Sequence, residues 1–347
     1  MKANGKKGEN VYDSVKLDNL PKFSDLRSKV DVVIKQSSWW DLYGVDWAIT
    51  GIFVALFPVS LLLIRSESWV NIGTGIFLLG WMHSALATKN GHLSAHGSLS
   101  SNKSWTRPLS VLFVEIIGSF SEELAYDIHI KEHHPYTNIV GIGDSSTWKM
   151  PFLPRYVYMF VAPLLLPPFT PLVSIAGLVE KKAFFGLVKY CVRAGFGLFV
   201  LVYSLMNVSH CSLWGALAIV WASRAMLSIP YIHVNIFQHI GLPMYAKESK
   251  PVRLYQMTTG VLNLPRSPSI DYAFGHSIIS CHVEHHLFPN LSDNMCLKIK
   301  PVVSKFLKNS TLPYNEKSYM NRLGLFLEKY DTLMVNAPPI THFVGIQ

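Results

Sequence analysis

The stretch WAITGIFVALFPVSLLLI, from Trp47 to Ile64, is an almost unbroken run of apolar residues. A second apolar run, from Val70 to Ala87, follows after the short break Arg65-Ser-Glu-Ser. Each run is long enough to cross about 30 Å of hydrocarbon as a helix. The two runs therefore predict a transmembrane hairpin.

The composition of the whole chain also indicates a membrane protein. Of its 347 residues, 50% are hydrophobic and only 15% are charged, and the mean hydropathy is +0.25. These values exclude an ordinary soluble enzyme. The first residues are polar and contain no short apolar segment of the kind found in a cleavable signal peptide, so we expect the first apolar run to act as the membrane anchor.

Positive charge follows a pattern that is typical of membrane topology. The formal net charge is +9, and Lys and Arg are concentrated in the N-terminal segment, between Lys89 and Arg155, and after His233. Because such residues are enriched in cytoplasmic loops, we expect these three regions, and both termini, to be cytosolic. No patch of interleaved basic and aromatic residues argues for a nucleic acid partner.

The segment from Tyr156 to His233 is apolar again and contains three candidate helices. They run from 156 to 178, from 185 to 203 and from 213 to 232. Four prolines between Pro163 and Pro171 would interrupt the first candidate repeatedly. We therefore expect the first piece to lie along the surface, or to re-enter the membrane without crossing it.

Eight of the 14 histidines fall into three short clusters. The clusters are His92-Leu-Ser-Ala-His96, His129-Ile-Lys-Glu-His133-His134 and His282-Val-Glu-His285-His286. On a helix, residues three or four positions apart lie on one face, so each cluster can present its imidazoles in one direction. Imidazole is the commonest side-chain metal ligand and suits iron, zinc, copper and nickel. The clusters thus predict a transition-metal site with more than one ion. Five of the other histidines have no partner at such a spacing and are expected to be structural: His83, His210, His233, His276 and His342.

The histidine clusters also constrain the topology. If one metal centre uses all three, an even number of membrane crossings must separate His134 from His282. Three full crossings are excluded, which leaves four in the whole chain. The expected fold is an all-α integral membrane protein with about four transmembrane helices in two hairpins, and with a cytosolic helical cap that holds the histidines.

The same features divide the chain into five segments. Residues 1–46 are a polar cytosolic segment, 47–87 the first transmembrane hairpin, 88–154 a cytosolic segment with the first two clusters, 155–233 an interfacial segment and the second hairpin, and 234–347 a cytosolic segment with the third cluster.

The clusters and their flanking residues resemble those of the membrane fatty acid desaturases, whose hallmark is three histidine boxes after paired membrane spans. His133-His134-Pro-Tyr-Thr-Asn138, with Asp144 downstream, resembles the second box and its tail. Val283-Glu-His285-His286-Leu-Phe-Pro289 resembles the third box. Asn235-Ile-Phe-Gln-His239 resembles an element before the third box in which the histidine completes the metal site. The resemblance extends from about residue 92 to residue 290.

Two features depart from the common pattern of that family. The second box is His-x-x-x-His-His, one residue longer than the usual form, which could rotate one imidazole relative to its partners. The third box begins with His282, where many front-end enzymes have glutamine. The N-terminal segment also lacks the haem-binding His-Pro-Gly-Gly signature, so electrons would come from a separate donor.

The resemblance implies nine imidazoles that share two iron ions, Fe²⁺ in the reduced state. The implied ligands are His92, His96, His129, His133, His134, His239, His282, His285 and His286. It also implies that Asn235 contacts a metal-bound water. We expect Glu132, Glu284 and Asp127 to accept hydrogen bonds from imidazole N–H groups. Cytochrome b5 and its reductase would supply the electrons, and the expected location is the endoplasmic reticulum.

The implied reaction is a dioxygen-dependent desaturation that introduces a cis double bond into a lipid acyl chain. No side-chain acid, base or nucleophile removes two hydrogens from an unactivated methylene pair, so this chemistry needs the metals. One alternative is a lipid or fatty acyl hydroxylase on the same scaffold, which no residue here distinguishes from a desaturase. A more distant alternative is a membrane metal transporter or metal-binding protein, whose ligands should lie within the spans.

Overall fold

The computed structural model describes residues 20–142, 152–310 and 312–335. Within these ranges the regular elements are helices joined by loops, and the isolated bridges pair Ile139 with Tyr245 and Asn263 with Glu316. The expectation of an all-α membrane fold is confirmed. Asp144 and His342 lie outside the described residues.

The helices are labelled in chain order. They are α1 (Phe23–Lys35), α2 (Trp40–Ile64), α3 (Trp69–Ala95), α4 (Thr106–Ser110), α5 (Glu122–Ala125), α6 (Val157–Glu180), α7 (Phe184–Asn207), α8 (Leu213–Phe237), α9 (Arg253–Gly260), α10 (Pro268–Phe274), α11 (His282–Leu287), α12 (Asp293–Asn309) and α13 (Tyr319–Val335). Helix α4 continues as a π-helix over Val111–Ile117, and α5 as a π-helix over Tyr126–His133 and a short turn over His134–Tyr136. Single 3₁₀ turns cover Lys103–Trp105 and Lys247–Ser249.

Five of these helices, α2, α3, α6, α7 and α8, are long and apolar enough to cross a membrane. Large apolar side chains point outward from them. On α7, for example, Phe185 is 73% exposed and Val192 is 66% exposed. Such a surface is stable against lipid tails and unfavourable against water. The chain is therefore a multi-pass membrane protein, and α6, which the sequence predicts not to cross, qualifies by length and composition.

Contacts at the two ends of α6 bear on whether it crosses. Just before it, Arg155 donates to the carbonyl of Leu327 at 2.8 Å, on α13. Helix α13 in turn packs against Phe237 at the end of α8, close to the third histidine cluster. Just after α6, Lys181 pairs with Asp127, beside the second cluster. Both ends of α6 thus lie near the histidines, which supports the prediction of four crossings.

Two glycines let α3 approach its neighbours closely. A Cβ on Gly75 would lie 2.8 Å from the carbonyl oxygen of Ser60 on α2. A Cβ on Gly80 would lie 2.2 Å from the carbonyl oxygen of Ser223 on α8. Small residues of this kind allow helix backbones to touch inside a membrane. The close packing brings together the ends of α3 and α8, which lead into the first cluster and His239.

A buried ion network fastens the cap to the first hairpin. The Lys89 ammonium lies 2.7 Å from a carboxylate oxygen of Asp46 and 3.4 Å from one of Asp293. All three side chains are at most 2% exposed. Since these residues lie on α2, α3 and α12, the network ties the cap to the part of α3 that carries His92.

Candidate metal centre

The structure brings all nine predicted histidines together in two adjacent groups. Cluster A consists of His92, His96, His129, His134 and His285. Cluster B consists of His133, His239, His282 and His286. Within each group the candidate ligand nitrogens lie within 4.8 Å of one another. Seven of the nine side chains are buried, and those of His92 and His129 are partly buried.

The second box divides between the clusters because of its local helix geometry. It lies in the π-helix over Tyr126–His133, in which hydrogen bonds join residues five positions apart. His129 and His134 accordingly both reach cluster A, with their Nε2 atoms 3.1 Å apart. His133 reaches cluster B, where its Nε2 lies 3.3 Å from that of His286. The rings of His129 and His133 stack with their centroids 5.4 Å apart, so they share one face as expected, but their Nε2 atoms belong to different clusters.

The third box divides between the clusters by ordinary α-helical geometry. On α11, His282 and His286 are about one turn apart and their Nε2 atoms, 3.2 Å apart, both lie in cluster B. His285 points about 100° away from His286. Its Nε2 lies 3.1 Å from that of His134 in cluster A. One short helix thus contributes to both clusters.

Backbone carbonyls fix the protonation of two imidazoles in cluster B. The Nδ1 of His282 lies 2.8 Å from the carbonyl oxygen of Ser277, and the Nδ1 of His239 lies 3.1 Å from that of Gly260. A carbonyl oxygen only accepts, so both Nδ1 atoms carry a hydrogen. Burial lowers the pKa of both rings, to about 4 for His239. Both rings are therefore neutral, and their Nε2 atoms are unprotonated.

These two unprotonated Nε2 atoms, of His239 and His282, face each other at 2.9 Å. Two nitrogen lone pairs at this distance repel each other unless a cation lies between them. In cluster A, the Nε2 of His92 is buried and has no hydrogen-bond partner among the described residues. Both observations are those expected of a site built for metal ions.

The spacing of the nitrogens also fits metal ligation. Nitrogens bound about 2.0–2.1 Å from one ion are about 2.9–3.4 Å apart at right or tetrahedral angles. Six Nε2–Nε2 contacts in the two clusters fall between 2.9 and 3.3 Å. Imidazole donors suit transition metals, and two groups of them suit two ions.

The acidic residues that were expected to orient the imidazoles have other partners. Asp127 pairs with two lysines on the surface of the cap. The buried carboxylate of Glu284 accepts from Nδ2 of Asn263 at 2.9 Å and from the hydroxyl of Tyr314 at 2.7 Å. The expectation was therefore wrong for Asp127 and Glu284. Glu132 is exposed.

Ser277, Gly260 and Thr137 contact the imidazole Nδ1 atoms instead. Besides its carbonyl, Ser277 offers its hydroxyl, which lies 3.2 Å from Nδ1 of His92. The hydroxyl of Thr137 lies 3.3 Å from Nδ1 of His286. Such contacts fix the orientation of ligand rings and raise their basicity. Thr137 belongs to the tail of the second box, so the sequence could have identified it as a partner. The backbone carbonyls of Ser277 and Gly260 carry no sequence pattern that would identify them.

A cavity of about 160 Å³ lies beside both clusters. His92, His129, His133, His239 and His282 form its polar wall. Much of the remaining wall is small or apolar, as at Ala95, Val114 and Phe274. Asn235 also lines it, with Nδ2 donating to the carbonyl of Tyr231 at 2.8 Å, and its contact with a metal-bound water stays a prediction. A cavity that combines imidazoles with small and apolar side chains is suited to holding an alkyl chain beside the clusters.

Of the five histidines that were expected to be structural, the four within the described residues lie outside both clusters. Nε2 of His233 lies 2.9 Å from the carbonyl of Met159, and Nδ1 of His276 lies 3.3 Å from the hydroxyl of Ser280. Among the nine clustered histidines, His92 alone falls within a candidate span, at the end of α3. A transport pathway would need ligands along the interior of the spans. The arrangement therefore disfavours a metal transporter.

Comparison with known proteins identifies the family. The family model described as fatty acid desaturase matches residues 67–318. The chain belongs to the fatty acid desaturase family. It is 50% identical to fatty acid desaturase 6 of Bos taurus over 93% of this chain and 94% of that protein. It is 49% identical to fatty acid desaturase 6 of Homo sapiens over 93% of this chain and 90% of that protein. An acyl-lipid (9-3)-desaturase of Borago officinalis is 27% identical over 35% of this chain and 28% of that protein.

Fatty acid desaturases are oxidoreductases that act on fatty acyl lipids in membranes, and the family is metal-dependent. The resemblance seen in the sequence is thus confirmed. The two histidine clusters lie inside the region that matches the family model.

Proposed function

We propose that this protein is a dioxygen-dependent acyl desaturase, which introduces a cis double bond into a lipid acyl chain at a centre of two irons. The observation that carries the proposal is the pair of neutral imidazoles, His239 and His282, whose unprotonated Nε2 atoms face each other at 2.9 Å. Membership of the desaturase family, together with two such clusters beside a cavity, makes a redox centre for lipids the best account of the site.

In this proposal each cluster holds one iron. Cluster A provides five imidazoles and cluster B provides four. The irons, when bound, would supply the activation of dioxygen that removes two hydrogens from a methylene pair. The chain itself keeps the imidazoles neutral by burying them. Ser277, Gly260 and Thr137 orient four of the rings through Nδ1 contacts, those of His92, His239, His282 and His286.

The cavity beside the clusters is proposed to hold the acyl chain. Its small and apolar side chains, such as Ala95, Val114 and Phe274, would contact the alkyl chain, and confinement would keep one carbon pair next to the centre. Small residues on α3, Ala87, Gly91 and Ala95, leave room for an alkyl chain along that helix. Asn235 lies on the same wall, where its amide is suited to a water beside cluster B.

The electron donor is proposed to be cytochrome b5 with its reductase, on the cytosolic side of the endoplasmic reticulum, where both termini would also lie. Arg253 supports a docking site on this side. Its side chain is exposed, and its Nη2 donates to the carbonyl of His286 at 3.1 Å. It therefore joins the cap surface directly to a residue of cluster B, and a cation there suits an acidic redox partner.

Lipid analysis of cells that express the protein tests the proposal. Total fatty acids would be compared between cells expressing the unchanged chain and cells expressing His285→Ala. Both cell lines must contain equal amounts of the protein, and the electron donor must be shown to be present. We expect additional unsaturated acyl chains only with the unchanged chain, because His285 belongs to cluster A. His210→Asn is the matched control, since His210 is exposed, lies outside both clusters and has a positive φ that asparagine tolerates.

Two outcomes would contradict the proposal. Hydroxylated chains without new double bonds would indicate a hydroxylase. Identical profiles for the unchanged chain and His285→Ala, on every lipid class examined, would argue against catalysis. Metal analysis of the purified protein adds an independent measure, with an expected iron content near two per chain and a clear loss in His285→Ala.

A further inference from the structure

A second cavity adjoins the one beside the metal clusters. It has a volume of about 290 Å³ and lies between α2, α3 and α7. Its rim includes Val54, Phe196 and Val200, which are 53%, 58% and 39% exposed on the apolar surface of α2 and α7. We call this cavity the lateral crevice. Because its rim lies within candidate spans, the lateral crevice faces the hydrocarbon of the membrane.

The lateral crevice and the central cavity share two lining residues, His83 and Arg224. His83 lies on α3 and Arg224 lies near the middle of α8. The other residues that line the crevice are apolar apart from Ser223. Its polarity is therefore concentrated on one side, at the junction with the central cavity.

Arg224 has an incomplete set of partners. Its guanidinium donates to the hydroxyl of Ser119 at 3.0 Å and to the carbonyl of Ile117 at 3.2 Å. Its Nε is buried and has no hydrogen-bond partner among the described residues. Within residues 20–142, 152–310 and 312–335, no Asp or Glu forms an ion pair with Arg224. The side chain is thus a partly buried cation without a compensating anion among the described residues.

His83 is half-buried and lines both cavities. Within residues 20–142, 152–310 and 312–335, neither of its ring nitrogens has a hydrogen-bond partner. Polar groups buried in an apolar environment are normally satisfied, and leaving them unpaired is costly. Charged residues in the middle of membrane spans mark substrate or ion pathways for this reason. A ligand with acceptor oxygens and a negative charge would complement both side chains.

We propose that His83 and Arg224 bind the carboxylate of a long-chain fatty acid whose alkyl chain lies in the lateral crevice. The carboxylate would compensate the charge of Arg224 and accept hydrogen bonds from Nε and from the ring of His83. The apolar crevice would receive the tail, and its open rim would admit the lipid from the membrane. The site is distinct from the nine clustered histidines, so this binding stands whether or not the proposed reaction does.

The head group of the ligand provides the first test. The full chain in nanodiscs would be titrated with radiolabelled palmitate, and then with hexadecanol and hexadecane as competitors. We expect palmitate to bind about ten times more tightly than hexadecanol, because a charge-assisted hydrogen bond is replaced by a neutral one. Equal affinity for palmitate and hexadecanol would overturn the proposal, and would leave water as the partner of the two side chains.

Variants locate the binding in the crevice. His83→Phe keeps the ring but removes both nitrogens, and is expected to weaken palmitate binding several-fold while hexadecane is unaffected. Arg224→Met should abolish the preference for the carboxylate, and Arg224→Lys should retain it. Arg224→Met could fail to fold because it loses the contacts with Ser119 and Ile117. In that case His83→Phe and the comparison of palmitate, hexadecanol and hexadecane still test the proposal. Unchanged palmitate affinity in His83→Phe, together with no head-group preference, would contradict the assignment.

A matched pair on α7 tests the position of the alkyl chain. Val200→Trp would fill the rim of the crevice, whereas Val192→Trp would place the same side chain on the lipid-facing surface outside it. We expect palmitate binding to fall only in Val200→Trp. An equal loss in both variants, or in neither, would show that the tail does not lie in the crevice.

Discussion

The hydroxyl of Ser277 lies 3.2 Å from Nδ1 of His92, 185 residues away in the sequence. The carbonyl of the same residue accepts from Nδ1 of His282 at 2.8 Å. Ser277 therefore orients one imidazole of cluster A and one of cluster B. Its own backbone N–H donates to Asp293 at 2.8 Å, so the loop that carries it is fixed from α12.

Replacing Ser277 by alanine is expected to weaken metal binding without unfolding the protein. The substitution removes the hydroxyl beside His92 but keeps the carbonyl that orients His282. Loss of such a contact typically lowers metal affinity about tenfold or more. The measurement is iron retained per chain during competition with a chelator of known affinity, and we expect one of the two sites to be weakened.

Two controls separate this effect from general destabilisation. Ser277→Thr keeps the hydroxyl and should restore iron retention. Ser94→Ala removes an equally buried hydroxyl whose contact is the carbonyl of Gly91, and should leave retention unchanged. If Ser277→Ala retained iron as well as Ser94→Ala, the hydroxyl would have no part in positioning His92.

Much of this site could be predicted from the sequence because its signals are local. The apolar run from Trp47 to Ile64 specifies a spanning helix by length alone. The box spacing identified the eight box histidines, and the family motif around Asn235 added His239. These features depend on neighbouring residues in the chain, and the structure brings all nine histidines together.

The division of these histidines between two clusters could not be predicted in the same way. It depends on the π-helix over Tyr126–His133. The extra residue of the second box is compatible with a π-helix but does not predict one. The Nδ1 partners were also missed, since Ser277 and Gly260 act through backbone carbonyls that every residue possesses. Asp127 and Glu284 are close to the boxes in sequence, which made them candidates to orient the imidazoles. In the structure Asp127 pairs with lysines, and Glu284 accepts hydrogen bonds from Asn263 and Tyr314.

Metal binding is expected to stabilise the folded protein. Nine neutral imidazoles with inward nitrogens exist only in the folded chain, so a bound ion shifts unfolding by mass action. At a free metal concentration of about 100 times the dissociation constant, each site adds roughly 2.7 kcal/mol. The measurement is the melting temperature of metal-free protein in detergent, with and without anaerobic Fe²⁺.

The increase in melting temperature on adding Fe²⁺ should be smaller in His285→Ala, because this substitution weakens cluster A. In His210→Asn the increase should equal that of the unchanged chain. Mg²⁺ serves as a further control, because imidazole clusters do not favour it. A melting temperature that is insensitive to Fe²⁺ in the unchanged chain would contradict the assignment of the clusters as a metal centre.

Labelling of single cysteines tests whether α6 crosses the membrane. Lys181, next to α6, pairs with Asp127 beside the second box, so Lys182→Cys is expected to react from the same side as Ser101→Cys, an exposed position before α6. Asn207→Cys should react from the opposite side, because the following Ser209 donates to the carbonyl of Leu61 at the far end of α2. An impermeant maleimide on sealed and opened microsomes, in a Cys191→Ser background, provides the measurement. Reaction of Lys182→Cys from the side opposite to Ser101→Cys would show that α6 crosses.

Lys89→Met is expected to be among the most damaging substitutions outside the histidines. It would leave the carboxylates of Asp46 and Asp293 buried at 0–1% exposure without their shared cation. Removing one partner from a buried ion pair costs about 3–5 kcal/mol. Lys298→Met is the matched control, since Lys298 pairs with Asp41 across the same interface at 3.0 Å, but both side chains are partly exposed.

Exposed pairs contribute about 0–1 kcal/mol, so thermal unfolding in detergent should separate the two lysine variants clearly. Iron retention should fall with Lys89→Met as well, because Asp293 also holds the N–H of Ser277, which orients His92 and His282. A stability equal to that of Lys298→Met would mean that the buried network does not join the cap to the hairpin. A loss of stability with unchanged iron retention would instead mean that the network acts on the fold without positioning the metal ligands.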